Sequence, residues 1–333
     1  MQKLPLDDFY SAQVSPDNML NFKKNLVYFF LLPGVLSLLA LFAILTWGLK
    51  PGIDLAGGSL LQVTYPNGRP PIEQVQVLVS KLNFGEVRVQ PTGQRGYLLR
   101  QRDLTTQEKN QFETVLGGLG KINEDQFTTV GPTLGAELLR KAWIALSLVA
   151  LCIILFIAFA FRHVSKPVES WKYGIVAIVT LLHDVLIPVG LFSFLGYSRG
   201  AEVDTLFIVA LLTILGISIN DTIVVFDRIR ENLGLNEQRN RKEDFDSVVG
   251  RSIMQTLARS INTSFTVVIV LLALFFVGPV ATRDFALTLI VGMIAGTYSS
   301  IFLAAPLLVV WQRGSASAQL RQESARKLAQ KTK

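Results

Sequence analysis

The chain has 333 residues, of which half are hydrophobic and only 17% are charged, and its mean hydropathy is +0.42. Soluble domains average about 25% charged residues, so this composition excludes an ordinary soluble protein and favours a membrane protein. The net charge of +7 comes from Lys and Arg in tails and in loops beside apolar segments, as in membrane proteins, and we do not expect a nucleic-acid partner.

Six segments are apolar over the roughly 20 residues that a membrane-spanning helix needs. We therefore predict a polytopic α-helical membrane protein with six transmembrane helices. The predicted spans are Leu26–Leu49, Ala142–Phe161, Tyr173–Tyr197, Thr205–Phe226, Ile261–Val277 and Phe285–Trp311. The remaining parts are an N-terminal segment (1–25), a small domain (50–141), a loop (227–260) within the helical region 142–311, and a basic tail (312–333).

Lys and Arg concentrate before the first span, between the second and third, after the fourth, and in the tail. With six spans these segments fall on one side, while the two short loops opposite contain only Arg199 and Arg283. Positive loops face the cytoplasm, so we expect both termini there and the small domain outside. The first span is longer than the roughly 7–15 apolar residues of a signal peptide and lacks a cleavage site, which favours an uncleaved anchor.

The sequence contains no motif for a disulfide framework, a catalytic zinc centre or an ATP site. The single cysteine, Cys152, lies inside the second predicted span, and the only histidines are His163 and His183. This argues against a disulfide framework or a catalytic zinc centre. No G-x-x-x-x-G-K-[ST] string occurs, so no ATP site is predicted. We expect a protein that is not an enzyme and that holds no cofactor.

The small domain follows a β-α-β-β-α-β pattern. Strand-like alternation appears in SLLQVTY, EVRVQ, GYLLRQR and DQFTTV, and helical spacing appears in PIEQVQVLVSKL and TTQEKNQFETVLGGL. Thr105 or Thr106 is the expected N-cap of the second helix. The order predicts a ferredoxin-like α+β domain with two helices on one face of the sheet.

Glycine-rich segments flank this domain where the chain enters and leaves the membrane region. The first, GIDLAGG, contains Gly52, Asp54, Gly57 and Gly58, and the second begins at Gly131-Pro132. Glycine permits backbone angles that other residues resist. Two interpretations stay open: turns at the bilayer surface, or a pair of hinges.

Asn220 and Asp221 lie side by side in the fourth span. A carboxylate at the centre of a spanning helix costs about 2.5–3.5 kcal/mol on translocon-derived scales. Arg259, near the start of the fifth span, offers a cation at a comparable depth, and pairing would relieve that cost. Asp221 is then either part of an ion pair that only fixes packing, or a carboxylate that alternates between Arg259 and a proton.

The third and sixth spans also contain polar or small residues at helical spacing. His183 and Asp184 lie in the middle of the third span and form a candidate second relay station. With Asn220 they complete the predicted proton relay. Gly292 and Gly296 form a G-x-x-x-G stripe in the sixth span, which predicts close helix packing.

Several strings in one order carry a resemblance: GIDLAGG, VGPTLGAELLRKAW, HDV, GISINDTIVVFDRIREN, QTLARSINTSFT and GTYSSIF. From about Gly52 to Pro306 the chain resembles the SecF-type subunits of the SecD/SecF family, which belongs to the RND-type transporters of the Sec export machinery. The resemblance implies that Asp221 is the family's intramembrane carboxylate and Arg259 its partner cation.

The resemblance further implies half of a twelve-span RND-type bundle, completed by a SecD-like partner. The implied function is to use the proton motive force, with the proton as coupling ion, to help secreted preproteins leave the SecYEG translocon across the bacterial inner membrane. Two alternatives are a half-transporter that exports a small amphiphile, which the small outer domain disfavours, and a purely structural scaffold.

Overall fold

The computed structural model describes residues 22–85, 87–160, 168–241, 243–279 and 282–314. Most of segment 1–25, His163 and nearly all of the tail lie outside these ranges. The chain divides into two compact units. The first comprises Met1–Gly48, Leu148–Tyr197 and Val209–Lys333, and the second comprises Leu49–Ser147 and Ser198–Ile208.

Six helices of the described residues are long and apolar enough to cross a membrane, which confirms the predicted six-span class. The long helices are α1 (Phe22–Trp47), α5 (Pro132–Ala160), α6 (Ser170–Arg199), α7 (Thr205–Gln238), α8 (Phe245–Val277) and α9 (Arg283–Ser299). A π-helical segment (Ser300–Ala304) continues α9, and the helix then runs on through 305–314.

Three helix ends differ from the predicted span ends by ten residues or more. Helix α5 begins at Pro132 rather than Ala142, because proline suits the first helical turn and no helix breaker follows it. Helix α7 continues past Phe226 to Gln238, and α8 begins at Phe245 rather than Ile261. The segment 227–260, predicted as a loop, is therefore mostly helical. The hydropathy pattern identifies the apolar part of each helix, but it does not detect the polar residues with which the helix continues.

The small domain has the predicted β-α-β-β-α-β order. Its elements are a short helix α2 (Ile53–Ala56), β1 (Gly58–Thr64), α3 (Ile72–Ser80), β2 (Arg88–Thr92), β3 (Gly96–Gln101), α4 (Thr106–Gly117) and β4 (Asn123–Val130). The sheet order is β2-β3-β1-β4, and each pairing is antiparallel. This is the split-βαβ arrangement of a ferredoxin-like domain, as predicted.

The domain has its own hydrophobic core between sheet and helices. Residues at alternating positions of β1 and β3 point into it, together with the apolar faces of α3 and α4. Thr105 caps α4: its hydroxyl accepts from the Glu108 backbone N–H, and the Glu108 carboxylate accepts from the Thr105 N–H. The cap is Thr105 rather than Thr106, because Thr105 has the extended backbone angles of an N-cap and Thr106 is already the first residue of the helix.

Candidate functional site

Asp221 is buried in α7, with 5% of its surface exposed. The Ser264 hydroxyl on α8 lies near enough to this carboxylate to interact with it as a hydrogen-bond donor. The Thr297 hydroxyl on α9 lies 2.6 Å from the Ser264 oxygen. Hydroxyls from two helices, α8 and α9, thus line up beside one buried carboxylate on a third, α7. Ser260, one turn before Ser264, carries a second buried hydroxyl, which has no hydrogen-bond partner among the described residues.

Arg259 does not form a salt bridge with Asp221. No nitrogen–oxygen distance between the two falls within 4.0 Å, although both Arg259 and Asp184 contribute to the electrostatic environment of Asp221. Arg259 is exposed on this chain, and so are Asn220 and Gly216. Asp221 therefore faces the helices of its own chain, whereas Asn220 and Arg259 lie on an outer surface of it.

A second polar chain surrounds Asp184 of α6, which is completely buried. The His183 Nδ1 atom lies 2.9 Å from Asp184 Oδ1, and the Ser218 hydroxyl on α7 donates to Asp184 Oδ2. The hydroxyl of Tyr298 on α9 lies 2.8 Å from His183 Nε2. His183 also lines an apolar cavity of about 460 Å³ between α1 and α6. Neutral and charged polar groups from α6, α7 and α9 therefore satisfy one another inside the bundle.

We call these residues the intramembrane polar cluster: His183, Asp184, Ser218, Asp221, Ser264, Thr297 and Tyr298. Four of them, the hydroxyl residues, were not predicted as site residues. A signal was present, because Ser218 precedes Asp221 by one helical turn and Thr297 and Tyr298 directly follow Gly296. Hydroxyls are common in spanning helices, however, and their partners become evident only once the helices are packed.

Gly292 and Gly296 lie where α9 packs on α7. A Cβ atom added at Gly292 would lie 2.2 Å from Ile214 Cδ1, and one at Gly296 would lie 3.1 Å from Ser218 Cβ. The glycines thus permit the close approach that brings Thr297 and Tyr298 near the polar groups of the neighbouring helices.

In the predicted hinge segment, Gly52 and Asp54 contact the loop between α6 and α7. The Gly52 N–H donates to the Val203 carbonyl at 2.8 Å. Asp54 Oδ2 accepts from the Thr205 hydroxyl at 3.3 Å. The entry to the small domain is therefore tied to the start of α7.

The glycine pair after Asp54 packs against the start of α5. Gly57 and Gly58 have φ values of 79° and 134°, which disfavour any side chain. A Cβ atom at Gly57 would lie 2.8 Å from Pro132 Cα, and one at Gly135 would lie 2.6 Å from the Gly57 nitrogen. Gly131 has open space around it, and its carbonyl accepts from the Gly135 N–H at 3.1 Å. The two segments therefore pack against each other through their backbones, in an arrangement that fits either surface turns or a pair of hinges.

The α6–α7 loop also contacts β2 and β3 through charged groups. Glu202 lies 3.2 Å from Arg100 Nε and 3.8 Å from Arg88 Nη1. Gln90 Nε2 donates to the Gly200 carbonyl at 3.0 Å. Burial raises the pKa of Glu202, and the charges of Arg100 and then Arg88 oppose that rise. The loop and the sheet are thus held by a buried acid and two arginines.

Within the described ranges, no group of three or more His, Cys, Asp and Glu residues is arranged to hold a metal ion. Cys152 is a free, exposed cysteine of α5. The chemistry that this site supports is the pairing, hydrogen bonding and protonation of buried carboxylates.

The family model described as "Protein export membrane protein SecD/SecF, C-terminal" matches residues 111–314, and the "SecD/SecF GG Motif" matches residues 42–65. The protein translocase subunit SecF of Thermobaculum terrenum is 42% identical over 85% of this chain and 91% of its own length. That of Anaerolinea thermophila is 40% identical over 89% of this chain and 95% of its own length.

Among solved structures, SecDF of Thermus thermophilus, a translocon-associated membrane protein, matches with a TM-score of 0.77 and 33% identity. The match covers 92% of this chain and 41% of that one. SecDF in its super-membrane-facing form matches with a TM-score of 0.65. Six apolar helices, a ferredoxin-like domain and a buried polar cluster define an RND-like polytopic membrane protein. The chain belongs to the SecD/SecF family of protein-export membrane proteins, and within it to the SecF type.

Proposed function

We propose that this SecF-type chain uses the proton motive force, through Asp221 and Arg259, to promote the export of preproteins. The observation that carries the proposal is the environment of Asp221. Its carboxylate is buried in a spanning helix, lies near the Ser264 hydroxyl, and interacts with the charge of Arg259 without forming a salt bridge with it. Such a carboxylate can be stabilised either by the approach of Arg259 or by a proton, so the two are alternatives.

The energy for this exchange is adequate. A proton that crosses the membrane releases about 2.3 kcal/mol per 100 mV, enough to shift a two-state equilibrium nearly fifty-fold. In this proposal protons are the coupling ion, the chain is not an enzyme, and it needs no cofactor. The movement reaches the small domain through the two crossings at Gly52–Gly58 and Gly131–Pro132, which act as hinges.

We propose a SecD-like partner, the SecYEG translocon and secreted preproteins as the molecules with which the chain works. The chain corresponds to 41% of the SecDF chain, so a SecD-like subunit would supply the other half of the bundle. The outer surface with Gly216, Asn220 and Arg259 suits such a partner, because polar groups in a spanning helix face protein rather than lipid. The location is the bacterial inner membrane, with both termini in the cytoplasm.

The test is Asp221→Asn in the full chain with its partner. The substitution keeps the size of the side chain but removes its proton-binding carboxylate. We expect normal assembly and the loss of proton-motive-force-dependent stimulation of export, measured as the translocation rate of a preprotein. The matched control is Asp227→Asn, an exposed position of the same helix, which should export as the unsubstituted chain does. Unchanged export by Asp221→Asn would refute the proton role.

A further inference from the structure

Two consecutive residues of α9 hydrogen-bond to Ser264 and His183, the residues that lie beside the two buried carboxylates. Thr297 leads through Ser264 to Asp221, and Tyr298 leads through His183 to Asp184. Consecutive helical side chains point about 100° apart, so one helix can serve two neighbours at the same level. No other helix of the described residues connects to both carboxylates through two such side-chain chains.

The Thr297 hydroxyl has two acceptors within reach. It lies 2.6 Å from Ser264 Oγ and 2.8 Å from the Met293 carbonyl oxygen, but it has a single hydrogen to donate. When Asp221 is ionised, Thr297 donates to Ser264 and Ser264 donates to the carboxylate. When Asp221 holds a proton, it donates to Ser264, Ser264 donates to Thr297, and Thr297 donates to Met293. Each buried group stays satisfied in both states.

The hydrogen bonds from Tyr298 through His183 to Asp184 also depend on which group holds the proton. With Asp184 ionised and His183 neutral, Nδ1–H donates to Asp184 and Nε2 accepts from the Tyr298 hydroxyl. Ser218 supplies the second donor to Asp184. A proton added to His183 turns Nε2 into a donor, so the Tyr298 hydroxyl has to reverse its role. The direction of this hydrogen bond therefore reports the charge of the His183–Asp184 pair.

Two backbone features of α9 lie next to Thr297 and Tyr298. Gly292 and Gly296 allow it to approach α7 closely, and the π-helical segment Ser300–Ala304 begins two residues after Tyr298. Pro306 lacks the N–H that an α-helical turn would use, and its ring would clash with the carbonyl four residues earlier. A π turn relieves that conflict, and such turns recur at functional sites.

We propose that Thr297 and Tyr298 are positioning residues that couple the protonation of Asp221 to that of the His183–Asp184 pair. A change in hydrogen bonding at one carboxylate displaces α9 and so alters the bond that the adjacent residue makes to the other. Among the described residues, Arg259 and Asp184 act electrostatically on Asp221, and His183 and Tyr298 adjoin Asp184. The consequence for export rests on the proposed function above; the coupling itself does not.

The test uses the small number of histidines. The sequence contains only His163 and His183, so His163→Gln leaves one histidine in the full chain. In that protein, labelled with ¹⁵N-histidine and reconstituted with its partner, we expect nitrogen shifts of the Nδ1-protonated tautomer with a hydrogen-bonded Nε2. Tyr298→Phe should abolish the hydrogen-bond shift at Nε2. Tyr197→Phe, the same change at an exposed position of α6, should leave it in place.

The coupling is tested from the other site. Thr297→Val removes the hydroxyl with little change in volume, and Asp221→Asn removes the titrating group. Each should displace the pH midpoint of the His183 signal, whereas Thr297→Ser, which keeps the hydroxyl, should restore the original midpoint. If the pH midpoint of the His183 signal is the same in Thr297→Val, in Asp221→Asn and in the unsubstituted protein, the proposal is overturned. Its failure can be told from failure of the proposed function, since the signal is read without any export assay.

Discussion

Glu202 shows how burial and pairing compete at a single residue. Its carboxylate lies between Arg100 and Arg88 with 7% of the side chain exposed, and burial is the larger influence, so its pKa is raised. A buried ion pair gains from the attraction of its charges but loses hydration, and the loss can exceed the gain. The contact therefore holds the loop against the sheet, and the free energy of burying the Glu202 carboxylate depends on pH.

This cost leads to a prediction for Glu202→Gln. A raised pKa means that the folded protein binds the proton more tightly than the unfolded chain does, so the stability contributed by Glu202 is greatest at low pH. It is lost as pH rises through the raised pKa. We expect the glutamine variant to protect the β2–β3 amides better than Glu202 does above that pH, and equally well below the ordinary pKa of a glutamate.

The measurement is hydrogen exchange of the full chain at several pH values, corrected for the intrinsic exchange rate. Glu73→Gln, at an exposed position of α3, is the matched control and should not change the pH dependence. Lower protection in Glu202→Gln at high pH would show instead that the attraction to Arg100 outweighs the cost of burial.

At the scale of elements, glycines decide how closely the spanning helices pack. A Cβ atom at Gly190 of α6 would lie 2.4 Å from both Cα and Cβ of Ala40 in α1. At Gly292 the conflict is with the Ile214 side chain, which can rotate in part. At Gly216 the described part of the chain offers no atom within 4 Å. All three glycines lie in apolar helices, but the space available for a side chain differs at each of them.

We predict a rank order for the three Gly→Ala variants. Gly190→Ala should destabilise the isolated chain most, by about 1–3 kcal/mol or more, because the added methyl group meets backbone. Gly292→Ala should cost less, since Ile214 can shift. Gly216→Ala should be neutral or stabilising by up to about 1 kcal/mol, since alanine favours the helix. Denaturation of the detergent-solubilised chain measures all three, and a Gly190→Ala variant as stable as Gly216→Ala would contradict this packing.

Some helices and strands were predicted correctly from the sequence pattern, and others were not. The N-cap of α4, placed at Thr105 or Thr106, and the four strands and two helices of the small domain were predicted and confirmed, since each depends on neighbours within a few residues. Within segment 227–260, predicted as a connecting loop, the end of α7 and the start of α8 are helical. A hydropathy window detects an apolar segment, and a polar helix beyond the membrane lacks that signal.

For the whole molecule, the distribution of Lys and Arg predicts the orientation. In a Cys152→Ser background, one cysteine is introduced at Ser198, just before the α6–α7 loop that we predict to lie outside, and another at Gln238, at the end of α7 that we predict to be cytoplasmic. Both positions are exposed. We expect a membrane-impermeant maleimide to label Ser198→Cys in intact spheroplasts but Gln238→Cys only after lysis. The reverse pattern would invert the proposed topology.

The sequence by itself determined the six-span class, the ferredoxin-like order of the small domain and the family, because hydropathy, alternation and ordered motifs are local properties of a chain. It also singled out Asp221, since a charge in an apolar segment is visible without coordinates. Only the tertiary structure decided which groups surround that charge. Ser264 and Thr297 come from helices distant in sequence, Arg259 remains out of contact, and Tyr298 joins His183. These contacts depend on how the helices pack. The sequence of one segment does not show which side chains of a distant segment will pack against it.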